Sequence, residues 1–369
     1  MVVTKGGARA ALMVSPGRPI EVREIPIPDL EPDSGLLEVE LSEICGTDVH
    51  LQDGKLAGVP YPLIPGHVSA GHLSAIRGSL LDVNGKPLRE GDRITFLDVH
   101  RTCNACWYCL VAKASTRCPS RRVYGITYGL EDGLTGGWST HLYLKPGTRC
   151  LPLQGLSVTG FMAGGCGLPT ALHAVDRAEV QLGETALVLG CGPVGLAAII
   201  FARLSGARTV LCIGAPDSRL EVARTVGASA VLNFEGLSEE ERLHWIHEHT
   251  DGRGVDFCIE ATGAREAVVQ GMRWTRDAGR VVVVGQYTDS GGVEMNPHLD
   301  LNKKHLDIRG CWGSDFSHFY RGVRLLRDPE IGELFGRIPL QRFPLDQAQA
   351  ALDAVRSGAA VKALVVPGE

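Results

Sequence analysis

A chain of 369 residues with 44% hydrophobic and 21% charged residues is long enough for two domains, each with its own core. Its formal net charge of −5 argues against a dedicated binder of nucleic acid or of acidic membrane surfaces. The sequence has no apolar run near the roughly 20 residues of a membrane span and no convincing secretory signal. We therefore expect a soluble, cytoplasmic protein.

The first 150 residues are rich in glycine and proline and carry short β-type runs at 36–41, 93–99 and 140–144. This pattern predicts an all-β, barrel-like domain. From about residue 165, predicted strands at 185–190, 209–214, 255–261 and 280–285 alternate with predicted helices at 194–204, 218–226 and 264–274. Such alternation indicates a parallel sheet built of βαβ units. A polar helix is predicted at 237–249, and a closing strand at 360–366.

The hexapeptide that runs from Cys45 to His50 places a thiol, the Thr47 hydroxyl, the Asp48 carboxylate and an imidazole within six residues. A thiolate can hold zinc, a hydroxyl can pass a proton, and an imidazole can receive it. A cysteine and a histidine five residues apart also occur by chance, so the hexapeptide indicates a site only if other segments supply further ligands.

Two such ligands are His67, which follows Gly66, and Cys166, which stands between two glycines. In isolation, His67 is better explained as a hydrogen-bonded structural histidine and Cys166 as a small buried residue. Together with Cys45 they form a Cys₂His set, which leaves a fourth zinc position open for substrate.

Eleven cysteines is a high count, and four of them, Cys103, Cys106, Cys109 and Cys118, lie within sixteen residues. In a large intracellular protein this clustering favours metal binding over disulfides. Four thiolates complete a tetrahedral zinc shell with no open position, which predicts a structural zinc. An iron–sulfur cluster and four unrelated buried thiols are the alternatives.

A GxGxxG motif, Gly190 to Gly195, follows an apolar strand and opens an apolar helix. In this context the motif predicts a dinucleotide whose pyrophosphate lies at the helix N-terminus. The alternative is a tight turn without a cofactor. The next predicted strand ends at Gly214 rather than at the acid typical of NAD sites, and Ser218 and Arg219 follow it. Because Asp217 is also close, both NADP and NAD stay open.

In the order and approximate separation of these motifs, essentially the whole chain resembles the zinc-dependent medium-chain alcohol dehydrogenases. The resemblance implies a GroES-like β-barrel catalytic domain over 1–167, an α/β Rossmann domain with a doubly wound parallel sheet over 168–311, and a return to the catalytic domain over 312–369. It also implies two zinc ions per chain and either NAD or NADP.

The resemblance implies that the catalytic zinc is held by Cys45, His67 and Cys166, and that Asp48 supports these ligands without binding the metal itself. It implies a proton relay formed by Thr47 and His50. It also implies a structural zinc held by Cys103, Cys106, Cys109 and Cys118. Thr170 lies against the nicotinamide, and the other residues predicted to bind the cofactor are Gly190, Gly192, Pro193, Val194, Gly195, Gly214, Ser218, Arg219 and Gly285.

Three departures from the family pattern stand out. The segment between Cys109 and Cys118 is one residue longer than usual, which puts its detailed geometry in question. Val68 replaces a common glutamate, and Gly46 stands where some relatives carry a phosphate-binding arginine. No predicted zinc ligand is lost.

The segment around Cys45 and His67 is also similar to that of bacterial dehydrogenases of cyclic secondary alcohols, such as hydroxycamphor dehydrogenases. Cyclitol or sugar dehydrogenases are a second interpretation. We expect an alcohol or carbonyl substrate, with Leu56, Val99 and Trp138 as candidate pocket residues. Each could equally belong to the core, which is the better interpretation for Val99.

Two further functions stay open. A zinc-independent quinone or enone reductase of the same fold needs no Cys₂His set, and a non-catalytic dinucleotide-binding regulator needs no relay. For assembly, the resemblance implies a homodimer or homotetramer formed through the Rossmann domain, with the strand near 307–312 as a pairing edge.

Overall fold

The computed structural model describes residues 6–369. These residues divide into two compact units. The first comprises the chain up to Gly165 together with Asp315–Arg327 and Pro339–Glu369, and the second comprises Cys166–Ser314 and Asp328–Ile338. Among the described residues, no helix is both long and apolar enough to cross a bilayer.

In chain order, the strands of the described residues are β1 (Gly7–Leu12), β2 (Glu21–Pro26), β3 (Ser34–Ile44), β4 (Ser69–Arg77), β5 (Arg93–Phe96), β6 (Val99–Arg101), β7 (Arg122–Val123), β8 (His141–Leu144), β9 (Cys150–Pro152), β10 (Thr185–Leu189), β11 (Thr209–Gly214), β12 (Ala230–Asn233), β13 (Val255–Glu260), β14 (Thr275–Val283), β15 (Asp307–Gly310), β16 (Leu340–Pro344) and β17 (Lys362–Val366).

The helices are α1 (Gly46–Gln52), α2 (Trp107–Leu110), α3 (Val158–Gly164), α4 (Gly167–Ala178), α5 (Pro193–Leu204), α6 (Asp217–Thr225), α7 (Glu239–Glu248), α8 (Arg265–Trp274), α9 (Phe316–Leu326), α10 (Pro329–Gly336) and α11 (Ala348–Arg356). Short turns of 3-10 or π geometry lie at Ser115–Arg117, Leu130–Asp132, Pro297–Asn302 and Leu345–Gln347.

The first unit is built on a seven-stranded sheet in the order β16-β17-β3-β4-β5-β9, with β8 also paired to β3. All of these pairs are antiparallel except β16 with β17. The long central strand β3 is buried along most of its length, and Leu37 and Val39 join a core with Leu73, Ile94 and Phe96. The predicted β-sheet architecture of the first domain is confirmed, but the unit is not all-β, since it also contains the helices α1, α2, α3, α9 and α11.

The second unit holds a six-stranded parallel sheet in the order β12-β11-β10-β13-β14-β15. Strands such as β10 and β11 are continuous apolar runs, which is typical of a parallel sheet covered by helices on both faces. Because β10 lies between β11 and β13, the strand order reverses there. In open α/β sheets, ligands bind at the carboxyl ends of the strands at such a point.

The structure differs from the sequence prediction in two places. The predicted strand at 93–99 is two strands, because β5 stays in the large sheet whereas β6 leaves it to pair with β7. The predicted return over 312–369 is interrupted, since Asp328–Ile338, which contains α10, belongs to the second unit. Within that unit the Phe335 ring of α10 lies 5.5 Å from the Phe201 ring of α5, and Phe335 is fully buried.

Candidate active site

Cys45 stands at the N-terminus of α1 and caps it. Its backbone N–H donates to Asp48 Oδ2 at 2.9 Å, while the Asp48 backbone N–H donates to the Cys45 carbonyl at 3.1 Å. The bond from the Cys45 N–H to the Asp48 carboxylate is one half of a capping box, whose other half is formed by the Cys45 side chain and the Asp48 N–H, and it needs a carboxylate three residues after the cap. The spacing of Cys45 and Asp48 therefore fixes the start of the helix and buries both side chains beside each other.

His67 lies between these two groups. Its Nε2 is 3.6 Å from Cys45 Sγ, and its Nδ1 is 3.9 Å from Asp48 Oδ1, which is too long for a hydrogen bond. Burial lowers the pKa of His67, but the charge of Cys45 and its hydrogen bond outweigh burial and raise the pKa to about 10. A metal ion bound here would have to displace that proton.

Cys166, the residue next to Gly165, brings the third donor. The ligand atoms of Cys45, His67 and Cys166 all lie within 4.8 Å of one another. Zinc bonds of about 2.3 Å to sulfur and about 2.0 Å to nitrogen at a tetrahedral angle place those donor atoms about 3.5 Å apart. The observed 3.6 Å between Cys45 Sγ and His67 Nε2 fits that geometry.

The buried carboxylate of Asp48 also fits a bound cation. Burial raises the pKa of Asp48 well above its usual range, and the charge of Cys45 raises it further. A cation between Cys45 and His67 would offset both effects, since it stabilises nearby negative charge. The donor set and its charge are therefore suited to zinc, and the catalytic role of these residues stays a prediction.

Thr47 and His50 lie three residues apart on α1 and so share one face of the helix. Both are partly exposed, in contrast to the buried Asp48 between them. Burial lowers the pKa of His50, and the nearby Lys55 ammonium lowers it further. His50 is therefore mostly neutral near pH 7 and able to accept a proton.

The four clustered cysteines form a second donor set, with their sulfurs within 4.8 Å of one another. Cys118 Sγ is 3.6 Å from Cys103 Sγ, close to the roughly 3.8 Å between two sulfurs of a tetrahedral zinc site. Backbone N–H groups donate to these sulfurs, from Cys103 to Cys118 and from Cys106 to Cys103, each at 3.3 Å. The N–H of Ala105 lowers the pKa of Cys103 to about 6, which favours a thiolate.

The longer segment between Cys109 and Cys118 does not keep the four sulfurs apart. Its residues 110–113 are exposed, and a 3-10 turn, Ser115–Arg117, leads the chain back to Cys118.

The predicted dinucleotide motif lies at the carboxyl end of β10, where the strand order reverses. A Cβ on Gly195 would lie 1.9 Å from the Gly190 carbonyl oxygen, so this glycine lets the helix pack on the strand. A Cβ on Gly192 would meet no protein atom within 4 Å. Packing does not explain that second glycine, but close approach of a pyrophosphate does.

Other predicted cofactor residues surround this motif in the second unit. Pro193 and Val194 are partly exposed and open α5. The Thr170 hydroxyl donates to the Cys166 carbonyl at 3.0 Å on the first turn of α4. Gly285 follows β14, and its N–H donates to the Glu260 carbonyl at 2.9 Å and to Glu260 Oε2 at 3.2 Å.

Sequence reasoning missed Glu260, which is fully buried at the end of β13. Its carboxylate accepts hydrogen bonds from the Thr262 N–H, the Thr262 hydroxyl and the Gly263 N–H at 2.6 to 3.0 Å. It thereby joins the turns after β13 and β14 at the carboxyl edge of the sheet. An acid at the carboxyl end of the largely apolar strand VDFCIE was the available signal.

At the end of β11, a Cβ on Gly214 would lie 2.5 Å from Cys191 Sγ, so a larger residue does not fit there without rearrangement. Asp217 and Ser218 are exposed at the start of α6, and Arg219 is partly buried. Asp217 Oδ1 accepts a hydrogen bond of 2.9 Å from Asn233 Nδ2. The end of β11 therefore has no acid, and the nearby Asp217 carboxylate is already bonded to the Asn233 side-chain amide.

The three predicted pocket residues lie in different environments. Trp138 is fully buried, and its indole Nε1 donates to the Glu43 carbonyl at 3.3 Å, which accounts for it as a core residue. Val99 is buried on β6, opposite Val123. Leu56, in the turn after α1, is partly exposed.

The alcohol dehydrogenase GroES-like domain family matches residues 31–155, and the zinc-binding dehydrogenase family matches residues 193–328. The 5-exo-hydroxycamphor dehydrogenase of Pseudomonas putida is 32% identical over 97% of this chain and 98% of that protein. An alcohol dehydrogenase structure from Thermotoga maritima has a TM-score of 0.92 and 34% identity over 98% of this chain and 99% of that one. A zinc-binding dehydrogenase of Sinorhizobium meliloti bound to NADP has a TM-score of 0.84 and 28% identity over 98% and 100%.

The two helix-opening glycines make a matched pair of tests. We expect Gly195→Ala to destabilise the protein by about 1–3 kcal/mol, because its Cβ overlaps the Gly190 carbonyl. Gly192→Ala should cost at most about 1 kcal/mol as a helix cap but weaken NAD(P)H binding about tenfold, because its Cβ obstructs the pyrophosphate. Thermal unfolding and fluorescence titration measure the two effects. Unchanged cofactor affinity in Gly192→Ala would contradict this assignment.

Proposed function

This chain belongs to the zinc-type medium-chain alcohol dehydrogenases, and we propose that within this family it acts on cyclic secondary alcohols. It is an NAD(P)-dependent oxidoreductase that interconverts alcohols and ketones with zinc. The convergence of Cys45, His67 and Cys166 carries the assignment of the catalytic centre. The zinc-independent reductase and the non-catalytic regulator are not favoured, because both metal-ligand sets and both relay residues are present.

Cys45, His67 and Cys166 would hold the catalytic zinc, and Cys103, Cys106, Cys109 and Cys118 would hold a separate structural ion. When bound, the catalytic zinc would supply Lewis acidity that lowers the pKa of an alcohol. NAD(P) supplies the acceptor of the hydride.

The protein's own contribution is to hold the substrate and remove its proton. The capping box that Asp48 forms with Cys45 fixes the start of α1, and thus the positions of Thr47 and His50. The Thr47 hydroxyl accepts the alcohol proton and donates its own onward, and His50 is the final acceptor. Of the predicted pocket residues, partly exposed Leu56 is the best placed to meet substrate.

Removal of single cysteines tests the two zinc sites. We expect about two zinc ions per wild-type chain. Cys45→Ala should lose one ion together with activity, whereas Cys109→Ser should lose the other. Cys150→Ala is the control, because Cys150 is fully buried outside both donor sets. Zinc analysis and initial rates are the measurements. A Cys45→Ala protein with full activity and two zinc ions would overturn the proposed centre.

The substrate proposal is supported by the relative named 5-exo-hydroxycamphor dehydrogenase, whose name denotes a cyclic secondary alcohol as substrate. We expect cyclic secondary alcohols to give the highest kcat/KM in a panel with primary alcohols and polyols.

For the cofactor, the absence of an acid at Gly214 supports acceptance of NADP beside NAD. Parallel assays with NAD⁺ and NADP⁺ measure this cofactor preference, and a strict preference for NAD⁺ would contradict the interpretation of Gly214.

The lowered pKa of His50 predicts a pH profile. His50 must be neutral to accept the alcohol proton. Burial and the nearby Lys55 ammonium lower the pKa of His50 below 6.5. Alcohol oxidation should therefore be level near pH 7 and fall as the pH drops below 6.5 through that pKa. His50→Gln should lower kcat about 100-fold and abolish this acid limb. His141→Gln is the control, since burial also lowers the pKa of His141. A wild-type profile in His50→Gln would exclude the relay.

We also propose a cytoplasmic homodimer or homotetramer. In the described residues, none of the eleven cysteines forms a disulfide, which supports a reducing compartment. Strand β15 is an edge of the parallel sheet, and Ile308 on it is exposed. The exposed apolar Trp107 and Val111 are a further candidate contact surface. Light scattering of the purified protein tests the assembly, and a monomer at assay concentration would contradict it.

A further inference from the structure

A buried ion pair in the first unit has no part in the relay or in either zinc-ligand set. Lys362 Nζ of β17 lies 2.8 Å from Glu43 Oε1 of β3, and the two side chains are 0% and 1% exposed. Buried pairs contribute little net stability, because removing both charges from water costs about as much as their attraction returns. The contacts of the pair therefore indicate its role better than its net contribution to stability does.

The lysine end of the pair holds the turn that leads to Cys166. Lys362 Nζ donates to the Gly164 carbonyl at 2.9 Å and to the Ala163 carbonyl at 3.4 Å, at the C-terminus of α3. Gly165 follows with a φ of 51°, and a Cβ there would lie 1.9 Å from Glu43 Oε2 and 2.6 Å from Lys362 Nζ. The pair and the turn thus pack so closely that only glycine fits.

The glutamate end joins the other two ligand segments. Glu43 precedes Cys45 by two residues, and its backbone N–H donates to the Val68 carbonyl at 2.9 Å, directly after His67. Its own carbonyl accepts the Trp138 indole N–H at 3.3 Å. These two bonds fix the backbone of Glu43 beside the segments that carry Cys45 and His67. From there, the Glu43 carboxylate pairs with Lys362, whose ammonium holds the turn that precedes Cys166.

We propose that Glu43 and Lys362 are positioning residues that hold the segments of Cys45, His67 and Cys166 in ligand geometry. This inference rests on the proposed catalytic zinc. Neither side chain is a metal ligand, and the pair acts through the backbone on which the ligands stand. Supporting groups around a metal site commonly change its affinity by about 10–100-fold.

The test replaces both charges at once, since a single replacement would leave an unpaired buried charge. In Glu43→Leu/Lys362→Met the core stays filled, but the contact with the Gly164 carbonyl is lost. We expect the thermal unfolding midpoint of the zinc-loaded protein to stay near that of the wild type, whereas a chelator with a colorimetric indicator should remove one zinc at least tenfold faster. After cobalt substitution, the visible absorption of that site should change.

The matched control is Glu184→Leu/Arg280→Met, which removes a 2.5 Å ion pair of low exposure in the second unit. We expect both of its zinc ions to leave at the wild-type rate. If the Glu43/Lys362 double variant also releases zinc at the wild-type rate and keeps the wild-type cobalt spectrum, the positioning role is wrong. If that double variant does not fold, Glu43→Gln/Lys362→Met, which also removes both charges and keeps the size of residue 43, decides: release at least threefold faster supports the role, and unchanged release overturns it.

The two proposals fail in different ways. A wild-type protein with one zinc ion overturns the catalytic zinc itself. If the wild-type protein holds two zinc ions and the double variant has the same zinc-release rate and cobalt spectrum as the wild type, only the positioning role is overturned.

Discussion

The burial of a thiol, an imidazole and a carboxylate side by side is the constraint on which this structure depends. Cys45, His67 and Asp48 are all buried, and negative charge on two of them is costly without a cation. Helix α1 and its capping box meet part of this cost, because the Cys45 N–H bonds to the Asp48 carboxylate. The donor geometry of Cys45, His67 and Cys166 is suited to zinc as the counter-charge.

The predicted dinucleotide site of the second unit relies on backbone N–H groups instead of side-chain ligands. A dinucleotide carries its negative charge on phosphates, which N–H groups at a helix N-terminus accommodate. A Cβ on Gly192 would meet no protein atom, which leaves space there for a phosphate to approach, whereas close helix packing requires Gly195 to have no side chain. The buried Glu260 carboxylate joins the turns after β13 and β14 by hydrogen bonds at the carboxyl edge of the sheet.

Local pattern was sufficient to propose candidate residues where these lie close in sequence. The glycines of 190–195 and the hexapeptide from Cys45 each lie at the start of one helix, and the four cysteines of 103–118 lie on a short segment that contains α2 and a 3-10 turn. The roles of all three groups stay predictions. Prediction of element boundaries was weaker. The change of sheet partner between β5 and β6, and the assignment of α10 to the second unit, depend on contacts that local periodicity does not encode.

The sequence by itself determined the family, the metal-ligand types and the cofactor class, because these follow from residue chemistry at short, recognisable spacing. Only the tertiary structure decided that Trp138 is core, that Cys191 fills the space beside Gly214, and that Glu43 meets Lys362. Each of these contacts joins residues that are distant in the chain. Such contacts depend on strand register and side-chain packing, for which a single sequence has no periodic signal.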